Sequence, residues 1–259
     1  MKKIFLLLLI IVTASKVYGQ KKGLVYYGHI ESPKMKCACG PEYNAYMVFD
    51  KKESHYVYAK DSLDQDTNFK SIYKTETTGQ IHGFLGNLTS QFGKQVYHNR
   101  VKDSIYWRKW KDYYVAEKAP KIEWIMEKET KKIGSFTAYK ATGKFRGRIY
   151  TAWYILEIPL PYGPWKLQGL PGLIIEAHDE YNEMHIYFKS LEYPTNNKTP
   201  ITQVQRPDDH PKKWLTLEDY KIKVTKKIEQ WNNNDRVMSE KHGMPSDKKT
   251  GSWLYIESF

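Results

Sequence analysis

Cysteine is nearly missing from this chain: Cys37 and Cys39 are the only two in 259 residues. Two cysteines one residue apart are too few for a disulfide framework, so stability has to come from an apolar core. Long hydrophobic runs are missing as well. The longest, Ile4 to Val12, covers nine residues, whereas a membrane-crossing helix needs about 20. No Gly/Ser-rich or Pro-rich linker divides the sequence, which favours one unit over two. The patterns G-x-S-x-G, H-E-x-x-H and the P-loop are absent, which removes the usual sequence handles for hydrolases, metalloproteases and nucleotide enzymes. Scattered Ser, His and Asp side chains could still meet in space, so an unrecognised hydrolase stays open as a reading. Acidic charge is in the minority, with 29 Asp and Glu against 41 Lys and Arg, a net charge of +12.

What is present begins with the leader. Met1-Lys2-Lys3, the apolar run and Val17-Tyr18-Gly19 match the charged, apolar and small-residue regions of a secretory signal peptide, so residues 1–19 are expected to be removed. No Cys follows the run, which argues against a lipid-anchored product. The expected mature chain starts at Gln20, is soluble, has no transmembrane segment and resides in an oxidising compartment. Lys2, Lys3 and Lys16 are the only charges in the leader, so 38 basic residues then face 29 acidic ones, a net +9. The lysines are spread among Glu and Asp, with dense clusters only at Lys221 to Lys227 and Lys241 to Lys249. For an exported chain this reads as a solvated surface, not a nucleic-acid partner.

Apolar or alternating runs of strand length recur: Leu24 to Ile30, Tyr46 to Phe49, His55 to Ala59, Lys94 to His98, Ser104 to Arg108 and Tyr113 to Glu117. Lys121 to Glu127 alternates Ile122, Trp124 and Met126 with charges, the period of a strand with one wet face. Lys132 to Thr142 follows, then Gly147 to Ile158, whose two faces are both largely apolar and which therefore reads as covered on both sides. Pro159, Pro161, Gly163 and Pro164 break the ladder. Pro171-Gly172 has the chemistry of a type II turn, with glycine taking a positive φ. Leu173 to Ala177 and Glu183 to Leu191 read as the last strands. One helix is predicted over Leu217 to Trp231, with Thr216 as N-cap, Glu218 and Asp219 in the first turn and Asn232-Asn233-Asn234 as its end. The fold class is mostly β: a curved antiparallel sheet or half-barrel with one amphipathic C-terminal helix. Residues 20–238 form the β-rich domain and 239–259 a polar tail, onto which Trp253, Tyr255 and Ile256 would add an anchor.

Gly169-Leu170-Pro171-Gly172-Leu173-Ile174, with Gly147-Arg148, Ala152-Trp153-Tyr154, Ile158-Pro159 and Gly163-Pro164 before it, resembles the GLPGLI family of exported envelope proteins. The match is specific across roughly Trp124 to Asp179. The resemblance implies location and a β-rich fold, and it supplies no catalytic residue. The order of strands around Ile133-Gly134 and the Trp-bearing strand is also similar, at the level of fold only, to periplasmic LolA-like lipoprotein carriers.

Three groups of side chains are candidates for function. Arg146, Arg148, Trp153, Trp165, Leu167, Leu170, Pro171 and Gly172 gather aromatic and apolar surface beside two guanidinium groups. They read either as the mouth of a site for a hydrophobic or peptidic ligand, or as a plug for the open end of the sheet. The arginines would grip a carboxylate or phosphate in the first case and pair with acids on a neighbouring strand in the second. Cys37 and Cys39 with Met35 are the one soft-ligand cluster, suited to a copper-like ion, or else a cysteine pair, free or oxidised, in a turn. His178 and His185 flank a hairpin at Asp179 and Glu180. Period two puts Glu176 on the face of His178, so the group reads as a hard-metal or acid/base site, or as ordinary surface side chains. The preferred reading is a non-enzymatic periplasmic accessory protein that binds such a ligand or an outer-membrane or envelope protein partner. A soft-metal handling protein is the alternative.

Overall fold

The computed structural model describes residues 21–33, 35–64, 71–74, 81–84, 89–109, 113–207 and 213–242. The expected signal peptide and residues 243–259 of the expected tail lie outside them. The strands are β1 (Gly23–Glu31), β2 (Glu42–Phe49), β3 (Glu53–Tyr58), β4 (Ser71–Lys74), β5 (Ile81–Phe84), β6 (Lys94–Asn99), β7 (Ser104–Lys109) and β8 (Tyr113–Lys118). They are followed by β9 (Trp124–Ile133), β10 (Phe136–Phe145), β11 (Arg148–Ile155), β12 (Leu173–Asp179), β13 (Met184–Glu192) and one helix, α1 (Leu217–His242). Strands β4 and β5 pair only with each other, and the other eleven form one sheet in the order β8-β7-β6-β3-β2-β1-β13-β12-β11-β10-β9. Every pairing is antiparallel. The first and last strands meet in the middle, so two meanders share the β1–β13 seam.

Inward positions follow the pleat. Val25 and Tyr27 of β1 face the interior with Met47 of β2 and Tyr56 of β3, all at most 1% exposed. Across the seam, Ala177, Ala152 and Ala141 share the same side and are fully covered. The sheet curls until its two ends approach: Arg146, in the β10–β11 turn, pairs with Glu117 of β8, whose other oxygen accepts from Trp107 Nε1 at 2.8 Å. The sheet is not closed, because β8 and β9 are not hydrogen-bonded to each other. The β10–β11 turn is a two-residue loop in which Arg146 and Gly147 both have positive φ, 49° and 77°. That is the turn whose twist matches a hairpin.

A strap after β13 covers part of the outer face. Thr195 N donates to Lys22 O at 2.9 Å, Gln205 N donates to Gln95 Oε1 at 2.9 Å, and Arg206 stacks on Tyr114 and Trp214. Leu215 then bridges to Val115, with Leu215 N donating to Tyr114 O at 2.8 Å and Ala116 N to Leu215 O at 2.9 Å. This occupies the free edge of β8. Thr216 caps α1 reciprocally with Asp219: Asp219 N donates to Thr216 Oγ1 at 3.0 Å and Thr216 N to Asp219 Oδ2 at 3.1 Å, the capping-box arrangement. Tyr220 packs edge-on to Trp107 and Tyr113.

Three features differ from the sequence reading. The helix does not stop at the asparagines and runs on to His242, so Ser239 to His242, expected in the tail, are helical. Asn costs only about half a kcal/mol relative to better formers, and the later turns gain an Arg236–Glu240 pair. Strand β9 continues to Ile133, beyond the expected Glu127. Gly172 does not take a positive φ; among the signature glycines that belongs to Gly169, at 96°. No helix of the described residues is long and apolar enough to cross a membrane.

Candidate functional site

The loop between β11 and β12 is the centre of the molecule. Proline and glycine prevent residues 156–172 from joining the ladder, and after the exposed Leu156 most of the apolar side chains turn inward: Ile158, Tyr162, Leu167 and Leu170 are at most 2% exposed. The loop satisfies its own backbone as it crosses. Tyr162 N donates to Leu160 O, Leu167 N to Pro164 O, Gly169 N to Pro161 O and Ile174 N to Tyr162 O. Buried amides without such partners would cost about as much as a lost hydrogen bond each. Trp165 sits in the left-handed region at φ 56°, a conformation costly for a bulky residue. Edge-on contact with Phe145 and a tilted one with Tyr150 hold it there. Each of these large side chains contributes about 1.5–3 kcal/mol by leaving water.

Gly172 is required by proximity. A Cβ there would lie 2.0 Å from Ile155 O, so any side chain would push β12 off the end of β11. Pro171 is exposed. Trp153 is buried but stands on the outer face, opposite Glu176 and Lys140, with Lys131 Nζ 4.3 Å from its ring centroid. The structure therefore brings together Trp165, Leu167 and Leu170 and separates Trp153 from them. Arg148 lies beneath the hairpin of β12 and β13, pairing with Asp179 and, at 2.7 Å, with Glu183. Asp179 Oδ1 also accepts from Met184 N at 3.0 Å, and Glu183 Oε1 from Lys36 N at 3.2 Å. Both guanidinium groups are thus engaged by acids of the chain itself.

One constellation escaped the sequence reading. His29, fully buried on β1, is stacked on Tyr58 with ring centroids 3.9 Å apart, and its Nδ1 is 2.8 Å from Tyr56 Oη. Glu31 accepts from Tyr58 Oη at 2.8 Å and pairs with Lys94. Burial pushes the His29 pKa down, against the pull of Glu31. Burial also opposes the charge on Glu31, but the Lys94 ammonium, with His29 Nε2 3.6 Å from Glu31 Oε1, outweighs it and holds the carboxyl well below its usual range. The signal in sequence was a His and a Glu at period two in a strand otherwise apolar on that side; their partner Lys94 is 63 residues away. The arrangement is a carboxylate neutralised by an ammonium inside an aromatic shell. The cavity beside it, against Tyr58, Trp107, Trp165 and Lys166, has a volume of about 10 Å³, room for about one water. Lys166 itself is buried, its Nζ 3.4 Å from the Trp107 ring centroid.

Cys37 and Cys39 lie in the loop between β1 and β2 and are joined as a disulfide, with Met35 Sδ 3.8 Å from Cys39 Sγ. In that state neither sulfur is a thiolate, the form that binds metal. Among the described residues no group of three or more His, Cys, Asp or Glu is arranged to hold a metal ion.

Comparison with known proteins adds one local match and one distant one. The model of a family described as a protein of unknown function (Porph_ging), of GLPGLI type, matches residues 146–176, which is β11, the loop and the start of β12. Among solved structures, the β-rich chains of PNGF-II are similar at 12% identity. The C2 crystal form gives a TM-score of 0.45 over 69% of this chain and 28% of that one, and the P21 form 0.49 over 79% and 33%. This chain therefore spans at most about a third of the PNGF-II chain. These findings lend nothing to the LolA-like likeness. No curated protein matches the sequence.

Proposed function

We propose that this protein is a non-enzymatic accessory protein of the cell envelope that holds a protein partner through an extended segment added to the open edge at β9. The observation that carries this reading is the asymmetry of the sheet. Among the described residues β9 pairs with β10 alone and makes no backbone bond on its other side, whereas β8 is occupied by Leu215. A free edge of ten residues offers a row of unpaired amides and carbonyls to an incoming strand. Ile125 and Met126, 70% and 62% exposed on opposite faces of that edge, would give the strand apolar contacts on both sides.

The filled interior supports the same reading. Residues 156–172 occupy the space where an acyl chain would lie, which favours the plug over the ligand mouth, and the arginines bind acids of the chain instead of a ligand. Export rests on the leader sequence and on the local resemblance to an exported family. A photo-crosslinker placed at Ile125 in the native host is expected to capture a defined envelope protein, while one at Val101, 76% exposed on the other half of the molecule, captures none. Equal labelling from the two positions, or none from Ile125, would refute the proposal.

A further inference from the structure

On the outer face, far from the plug, His178 of β12 and His185 of β13 stand directly opposite each other. Their ring centroids are 6.0 Å apart and the ring planes are at 80°. A metal 2.0–2.1 Å from an imidazole nitrogen lies about 3 Å from that ring's centre, so an ion shared by both rings needs side-chain rotations that bring the ring centres to about 5 Å for a tetrahedral angle at the ion. Nδ1 of His178 is 3.1 Å from the carbonyl oxygen of Asp179. A carbonyl only accepts, so Nδ1 carries the proton and Nε2 keeps its lone pair outward. That is the support a ligating histidine receives from a second hydrogen bond. Glu176 lies two residues before His178 on the same face and is engaged by Lys131.

We infer that His178 and His185 form a two-imidazole site for a borderline divalent transition-metal ion, of the class of Zn²⁺ and Cu²⁺. Two imidazole nitrogens suit such ions better than the soft ions that sulfur selects. The remaining positions are open to water or to a group on a partner. The site is independent of the β9 edge, so it stands or falls separately from partner binding.

The test is calorimetric titration of the purified protein with Zn²⁺ and Cu²⁺ near pH 7.5, with electron paramagnetic resonance of the equimolar Cu²⁺ complex. We expect one site, hyperfine structure from two nitrogens, and a loss of affinity of roughly tenfold or more in H178Q and in H185Q. Both histidines are only half-buried, and unchanged thermal unfolding of the metal-free variants would show that the fold is kept. No binding up to millimolar metal, unchanged affinity in the doubly substituted H178Q/H185Q protein, or a Cu²⁺ spectrum without nitrogen couplings would overturn the site.

Discussion

The sheet has two ends that were finished in different ways. At β8 the chain returns after residues 119–214, lays Leu215 along the edge, and seats α1 on Trp107 and Tyr113. That edge belongs to the interior, where Arg146, Glu117 and Trp107 draw it toward the loop 156–172. At β9 nothing among the described residues covers the backbone, and every one of its residues is half-exposed or exposed. Lysines are a common means of keeping such an edge from pairing promiscuously, and β9 carries Lys128, Lys131 and Lys132. The difference teaches where specificity can reside. The closed end has its hydrogen bonds and apolar surface committed within the chain, so what the protein offers to others is at the open end and on the outer face.

If that division holds, substitutions should be costly at the closed end and cheap at the open one. The largest effect is expected for Arg148→Met, which leaves Asp179 and Glu183 buried without their cation. Urea unfolding should show a loss of about 3–5 kcal/mol, the usual result of breaking one partner of a buried pair. Trp165→Ala should cost about 3 kcal/mol or more, because it opens a cavity and leaves alanine at the same positive φ. A small cost there would mean the loop is a lid and not a plug.

An intermediate effect is expected from pH. Burial lowers the pKa values of His55 and His98 to about 4, below the 6.5 of an unfolded chain. Both are neutral in the fold, so the unfolded state binds more protons between those values. Their contribution is complete above pH 6.5 and is lost as pH falls toward 4. Going from pH 7.5 to 5 should remove about 2 kcal/mol for each histidine. His98 packs edge-on to Tyr162 of the loop, so His98→Phe should keep that contact and flatten the pH dependence of the melting temperature. The smallest effect is expected at β9. Ile125→Lys with Met126→Lys should change stability by no more than about 0.5 kcal/mol while removing partner capture. A loss comparable to that of Trp165→Ala would show that the edge is covered in the free protein.

The closed end was also the more legible in sequence. Gly147 to Ile158 reads as covered on both faces and becomes β11, which ends at Ile155; Tyr150, Ala152 and Ile155 are fully buried, while Ile149 is half exposed. The prolines and glycines that follow predict a structured loop, and Thr216 with Asp219 predicts the helix start. The open end was misread, since Lys128 to Lys131 has no apolar member and looks like a connection. An edge strand wetted on both faces needs none, and pairing to β10 alone makes Glu127 to Ile133 a strand. Gly172 was assigned a turn role because Pro-Gly has turn chemistry, but its reason is the carbonyl of Ile155, a contact no local pattern encodes. The His29, Glu31 and Lys94 cluster and the Arg148 triad depend on long-range pairing and were hidden for the same reason. The two arginines carried no mark in sequence that distinguishes an acid of the same chain from one on a ligand.

Hydrogen–deuterium exchange resolved by peptide compares the two ends in one measurement. The amides of Tyr162, Leu167 and Gly169 are bonded inside the loop and should exchange only with global unfolding, while alternate amides of β9 should exchange within seconds. Rapid exchange throughout 158–170, with protection on both sides of β9, would contradict the account.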